Sequence, residues 1–151
     1  MRPLALALAA LLVASPALAD WQYTRWGMTP QQVVAASGGR VVLLPEAERP
    51  RVPPLVTAAR GDFADGALLL RTVFSFAIAG GGLECVTYGV RRREDDEAFK
   101  ALLIRRFGPP QTTGGLAILG MTQLGWKLER DEVDASFSRD DPAYAMQCRK
   151  G

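Results

Sequence analysis

Three apolar stretches between Leu55 and Val90 are separated by two glycine-marked breaks, Asp65-Gly66 and Gly80 to Gly82, and this punctuation limits the possible folds most. Asp-Gly suits a tight hairpin turn, because Gly adopts the positive φ that the turn requires. In the second stretch Phe74, Phe76 and Ile78 alternate with Ser75 and Ala77, the period of a half-buried antiparallel strand. The third stretch, "LECVTYGVR", puts Leu83, Cys85 and Thr87 on one face. Three to four consecutive antiparallel strands are expected here. The last third of the chain repeats the pattern: Trp126 and Leu128, then Val133, Ala135 and Phe137, then Tyr144, Met146 and Cys148 each fall on alternate positions. Turns are expected at "RDE" and "RDDP". On this reading Cys148 lies on the apolar face of a terminal strand and meets Cys85 across the sheet.

Two helices break the strand pattern. Thr29 is a good N-cap, Pro30 suits the first helical position, and Gln32 can reach back to complete a capping box. Met28 and Val33 have the spacing of a hydrophobic staple, Val33, Val34 and Ala36 give an apolar face, and Gly38-Gly39 provides a left-handed stop. The segment "RVVLLP" then reads as a short strand, and "EAERPRVPP" as an extended surface connection. The second helix is "DEAFKALLIRRF": Glu94 to Glu97 favour the positive end of its dipole, and Phe99, Leu102, Leu103 and Phe107 share a face. Gly108, Pro109 and Pro110 end it, and the charge block Arg91 to Glu97 reads as a solvated corner. The expected fold is α+β: an antiparallel sheet with two helices packed on one face, in the order helix, strands, helix, strands, as two helix-plus-sheet halves.

Residues 1–19 read as a secretory signal, with Arg2, the apolar core "LALALAALLVA" and the small-residue cleavage site Ala17 to Ala19. That core is shorter than the roughly 20 residues needed to span a bilayer, so no stable membrane anchor is expected after cleavage. Residues 20–151 form one domain-sized α+β unit in a periplasmic or secreted protein. The whole chain carries 18 Lys and Arg against 16 Asp and Glu, and loss of Arg2 brings its net charge of +2 to +1. That balance argues against an electrostatic grip on nucleic acid or anionic lipid. An oxidising compartment and an even count of two cysteines predict a Cys85–Cys148 disulfide; the pair lacks the C-x-x-C spacing of a redox centre.

The absence of histidine removes the usual general base and the commonest metal ligand, so Ser-His-Asp and Cys-His catalysis within this chain are excluded. Two cysteines 63 residues apart give no zinc-ligand spacing. The acidic clusters "EDDE", "RDEVD" and "RDD" fall at helix starts and turns, not across a cleft. "GGG" precedes neither a Lys nor a helix and reads as a hairpin turn, not a phosphate cradle. No catalytic residue, metal or cofactor is assigned. Trp21, Tyr23 and Trp26 lie close together before the first helix and are the candidate partner-binding residues, with burial in the core as the competing fate.

The stretch "WGMTPQQVVAASGG", Trp26 to Gly39, resembles a family of small exported bacterial proteins of uncharacterised role that begin with a W-G-M-[ST]-P-x-x-V helix. More distantly it is similar to β-lactamase-inhibitor-like modules and to the small lipoprotein of the outer-membrane barrel assembly machinery. "GMT" recurs at Gly120 to Thr122 without the rest of the motif. The resemblance implies an envelope protein that binds other proteins through a concave antiparallel sheet. This chain departs from it in lacking a lipid-attachment Cys and a short-range disulfide in each half, and no inhibitory or assembly residue maps onto it. The expected function is a periplasmic, non-enzymatic interaction or binding module whose partner is another envelope protein. The alternative is a small exported hydrolase or ligand carrier using carboxylates such as Asp95 or Asp141, or an apolar pocket.

Overall fold

The computed structural model describes residues 21–151; the expected signal segment lies outside the described residues. Among the described residues two helices, α1 (Pro30–Ala36) and α2 (Asp96–Phe107), accompany nine strands. The strands are β1 (Val41–Leu43), β2 (Arg51–Val52), β3 (Leu55–Asp65), β4 (Leu68–Ala77), β5 (Leu83–Val90), β6 (Thr112–Gly114), β7 (Thr122–Lys127), β8 (Asp131–Phe137) and β9 (Tyr144–Arg149). They form one sheet in the order β1-β3-β4-β5-β9-β8-β7-β6, with β2 paired on β3, and every pairing is antiparallel.

This architecture corrects the expected α+β fold with two helices packed on one face in a simple helix, strands, helix, strands order. The protein is mainly antiparallel sheet. Helix α1 spans only seven residues and buries only Val33, and α2, extended by a 3₁₀ turn at Arg93–Asp95, adds Phe99, Leu102 and Leu103. Most of the core comes instead from one face of the strands and from Trp21. The two expected halves are likewise one continuous sheet. The N-terminal strands run outward to β5, the C-terminal strands return in reverse from β9, and the halves join at the β5–β9 pairing.

Local sequence explains the turns. Gly66 occupies the first loop position between paired Asp65 and Leu68 with φ 57°, the conformation for which Gly is suited. Gly80 and Gly81 carry the chain from β4 to β5, where the Ala77 amide bonds to the Gly82 carbonyl. The α1 start is a complete capping box: Thr29 Oγ1 accepts from the Gln32 amide, and Gln32 Oε1 accepts from the Thr29 amide. Gly108 closes α2 with φ 81°. The Pro-rich connection is more ordered than expected, since it contains a 3₁₀ turn at Glu46–Glu48 and the two-residue strand β2.

Trp21 sets the centre of the core. It is 0% exposed and makes ring contacts with Phe63, Phe74, Tyr88 and Tyr23 at 5.3 to 5.9 Å between centroids. Tyr88 passes the packing on to Phe99 of α2, and Phe99 to Phe137 of β8, so one aromatic chain spans both halves. Trp126 Nε1 donates to the Gly108 carbonyl at 2.9 Å, tying β7 to the end of α2.

The disulfide joins Cys85 and Cys148, directly opposed residues of β5 and β9. It lies on the face away from the core, which corrects the expected placement. Phe74 pairs with Val86, Thr72 with Tyr88, Tyr88 with Ala145 and Val86 with Gln147, and all six are buried. Cys85, Met146 and Tyr144 therefore belong to the opposite face. Strand β9 turns Ala145 and Gln147 inward because bulky Tyr88 and the aromatic chain fill the space above it. Leu83 parts company with Cys85 and Thr87 because a register irregularity between Ser75 and Phe76 moves Leu83 to the core side.

Candidate interaction surface

The pairing registers place the side chains of the second sheet face in three parallel rows. The first runs Val42, Arg60, Val73, Thr87, Met146, Asp134, Gly125, Thr112 across β1, β3, β4, β5, β9, β8, β7 and β6. Beside it run Asp62, Arg71, Gly89, Tyr144, Ser136, Gln123 and Gly114. On the other side run Thr57, Ser75, Cys85, Cys148, Glu132 and Lys127. No helix of the described residues contributes to these rows.

Apolar and aromatic groups stand open among them. Tyr144 is 49% exposed and Met146 40%, and Val42 at the β1 edge of the first row 55%. An exposed cluster of this kind, bordered by charge, is informative because large apolar groups are ordinarily buried. A cleft of about 240 Å³ opens between β4, β5 and β9, lined by Arg71, Val73, Thr87, Gly89, Arg91 and Tyr144 among others. Gly89 is required at this point. A Cβ there would lie 2.6 Å from the Ala143 carbonyl oxygen and 2.8 Å from Tyr144 Cβ, so any other residue would push β9 away.

Charge divides the face into two halves. Arg60, Arg71 and Arg91 come from the N-terminal strands and their margin, with Asp62 held by Arg91 at 2.7 Å. Glu132 and Asp134 come from β8, with Lys127 at the end of β7. Thr57 and Ser75 hydroxyls hydrogen-bond at 3.0 Å across β3 and β4. The face therefore offers guanidinium donors, carboxylate acceptors and an apolar middle.

The three residues proposed from sequence for partner binding have separate fates. Trp21 is sealed in the core and presents no surface. Tyr23 is half-buried beneath Arg40, whose guanidinium lies 4.8 Å from the ring centre; burial raises its phenol pKa, and the nearby cation opposes that rise. Trp26 is also half-buried, and its Nε1 donates to Asp131 Oδ1 at 2.6 Å, while Asp131 Oδ2 accepts from Gln147 Nε2 at 2.7 Å. Asp131 thus anchors the opening segment to β8 and β9. The segment 21–26 is a run of turns, so it has no strand alternation.

The acids at the start of α2 act as structural partners. Asp95 pairs with Arg92, as does Glu94, while Asp96 Oδ1 accepts from the Ala143 amide at 2.8 Å. Asp141 lies in a turn held by the Ser138 hydroxyl. Among the described residues no group of three or more His, Cys, Asp or Glu is placed to hold a metal ion. No helix of the described residues is long and apolar enough to cross a membrane. A separate apolar projection, which sequence reading passed over, lies between β6 and β7, where Leu116, Ile118 and Leu119 are exposed, Ile118 to 90%.

The fold and this face define a disulfide-stapled antiparallel-sheet module with one covered and one open face. Comparison with known proteins yields no match to a protein-family model and none to a curated protein. Among solved structures, the chain is similar to a DUF4309 family protein (YjgB) from Bacillus subtilis subsp. subtilis str. 168, at 16% identity and a TM-score of 0.48, over 81% of this chain and 78% of that one.

Proposed function

We propose that this chain is an exported, non-enzymatic protein-binding module of the bacterial envelope, whose binding surface is the open sheet face around Tyr144 and Met146. The observation that carries this reading is the exposed apolar and aromatic centre of that face, bordered by Arg60, Arg71, Glu132 and Asp134. Aromatic, Met and Arg residues are enriched where protein interfaces have their cores. Export is supported by the signal-like segment 1–19 and by the long-range disulfide, which persists in an oxidising compartment. The W-G-M-T-P helix is compatible with the envelope families it resembles. The partner is another envelope protein.

The test is site-specific photocrosslinking in the intact envelope, with the probe at Met146 on the open face or at Lys100 on α2 as a control. A discrete product at Met146, absent at Lys100 and lost in Tyr144→Ala, is the expected result. Equal labelling at both positions would refute the assignment of the face. The cleft beside Gly89 favours a second reading, a carrier for a small anionic ligand held by Arg71. Loss of the bound molecule in Arg71→Ala, with crosslinking unchanged, would select it.

A further inference from the structure

We infer that the open face is self-complementary and that two copies of this chain pair through it as a two-fold dimer. This inference rests on the reading of the open face as the binding surface and names the occupant that its own pattern fits. The central row reads Arg60, Val73, Thr87, Met146, Asp134 across β3, β4, β5, β9 and β8. It is a cation, an apolar group, a small group, an apolar group and an anion, symmetric in polarity and opposite in charge about Thr87.

That pattern selects one symmetry operation. A two-fold axis parallel to the strands, lying between the faces above β5, carries β3 over β8 and β4 over β9 while keeping each row in register. Arg60 then stands over Asp134 of the second copy, Val73 over Met146, and Thr87 over itself; the reciprocal contacts follow, as an isologous interface demands. In the neighbouring row Arg71 comes over the Tyr144 ring, a favourable cation–π arrangement, with Gly89 on the axis. Thr87 and Gly89 are the small residues that permit close approach there. A two-fold perpendicular to the strands and running along this row would instead set Arg60 over Arg60 and Asp134 over Asp134. Charge disfavours that axis.

The geometry suits sheet packing. Arg60 and Asp134 are four strand spacings apart, about 19 Å, so two ion pairs bracket an apolar middle between faces roughly 10 Å apart. Among the described residues, Arg60, Arg71 and Asp134 take part in no ion pair within the chain, which leaves each free for the second copy. A different envelope partner would compete with the second copy for the same face.

Sedimentation of the mature chain over a wide concentration range tests the inference. The expected result is a monomer–dimer equilibrium that weakens with salt. Arg60→Glu and Asp134→Arg should each raise Kd at least about tenfold, and the double variant should restore it to within about threefold. A chain that stays monomeric at millimolar concentration, a dimer indifferent to both reversals, or a double variant that fails to recover would overturn it. Should a reversal disturb folding, Thr87→Cys with a short bismaleimide supplies an independent readout, since only a residue on the axis meets its own mate. Efficient homodimer crosslinking is expected; its failure in a folded protein would overturn the inference. A monomer whose Met146 probe still captures another envelope protein separates failure here from failure of the proposed function. A dimer that captures nothing else separates the converse.

Discussion

Replacing both Cys85 and Cys148 by alanine should destabilise the protein by about 4 kcal/mol, the loop-closure entropy returned to an unfolded chain on opening a 63-residue crosslink. The location of the bond makes the estimate clean. Its sulfurs lie on the sheet face opposite the core, so alanine leaves the aromatic chain from Trp21 to Phe137 in place. Alanine is preferred to serine because Cys85 is buried and a hydroxyl there would need a new partner. At the unfolding entropy of a domain this size, 4 kcal/mol corresponds to a fall in Tm of about 15 °C. Calorimetry and urea titration would measure both. The m-value should rise, because the open chain exposes more surface when unfolded. The region that loosens first should be the β5–β9 pairing, seen as faster amide exchange at Val86 to Tyr88 and Ala145 to Gln147. A loss below about 1 kcal/mol with an unchanged m-value would refute the loop-entropy reasoning.

Three further outcomes follow from single side chains. Asp131→Ala should cost about 3 kcal/mol in urea unfolding, since Trp26 Nε1 and Gln147 Nε2 both lose their acceptor in a buried setting. Tyr88→Phe should be neutral or slightly stabilising at pH 7, because the buried Tyr88 hydroxyl has no hydrogen-bond partner. It should also reduce alkaline destabilisation: burial raises the folded Tyr88 pKa above its ordinary value of 10, so the unfolded state loses the proton first and stability falls as pH rises past about 10. A pH series of wild type and variant should show the difference between them growing only on that limb. Gly89→Ala should cost about 2 kcal/mol or more by forcing β9 from β5, and a thermal melt within about 1 °C of wild type would contradict the close approach inferred there.

Some of this structure was legible in the sequence, where a local chemical reason decided the outcome. Thr29, Pro30 and Gln32 form the capping box as read, Gly66 turns the β3–β4 hairpin, and Cys85 meets Cys148. Alternation located β8 and β9 but could not say which face of β9 points inward. Tyr144, Met146 and Cys148 look like the buried set by composition, yet Ala145 and Gln147 are buried because Tyr88 on the neighbouring strand takes up the volume. A period-two pattern fixes which residues share a side and leaves the choice of side to tertiary packing. The open face was illegible for the same reason. Its rows combine residues from as many as eight strands, and only the registers, including the irregularity at Ser75 to Phe76 between β4 and β5, bring Arg60 into line with Asp134. A capped, amphipathic segment looks alike in sequence whether it forms a minor element, as α1 does, or a full layer, so local signals do not set the weight of the helices in the fold.

The seam between the halves links fold to function. Every adjacent strand pair in the sheet other than β5–β9 joins strands from the same half of the chain. The cationic end of the open face comes from β3 and β4, before the seam, and its anionic end from β8, beyond it. Neither half alone carries both the Arg60 cation and the Asp134 anion of the central row. Arg60 and Asp134 share one row only when β5 and β9 are in register, and the Cys85–Cys148 bond fixes that register two residues from Thr87 and Met146, at the middle of the row. A one-residue slip of β9 would turn Tyr144 and Met146 toward the core and bring Ala145 and Gln147 to the surface. The disulfide therefore does more than limit the unfolded chain. It sets which side chains the open face displays, so its reduction should weaken the association proposed for that face under conditions where the fold still survives.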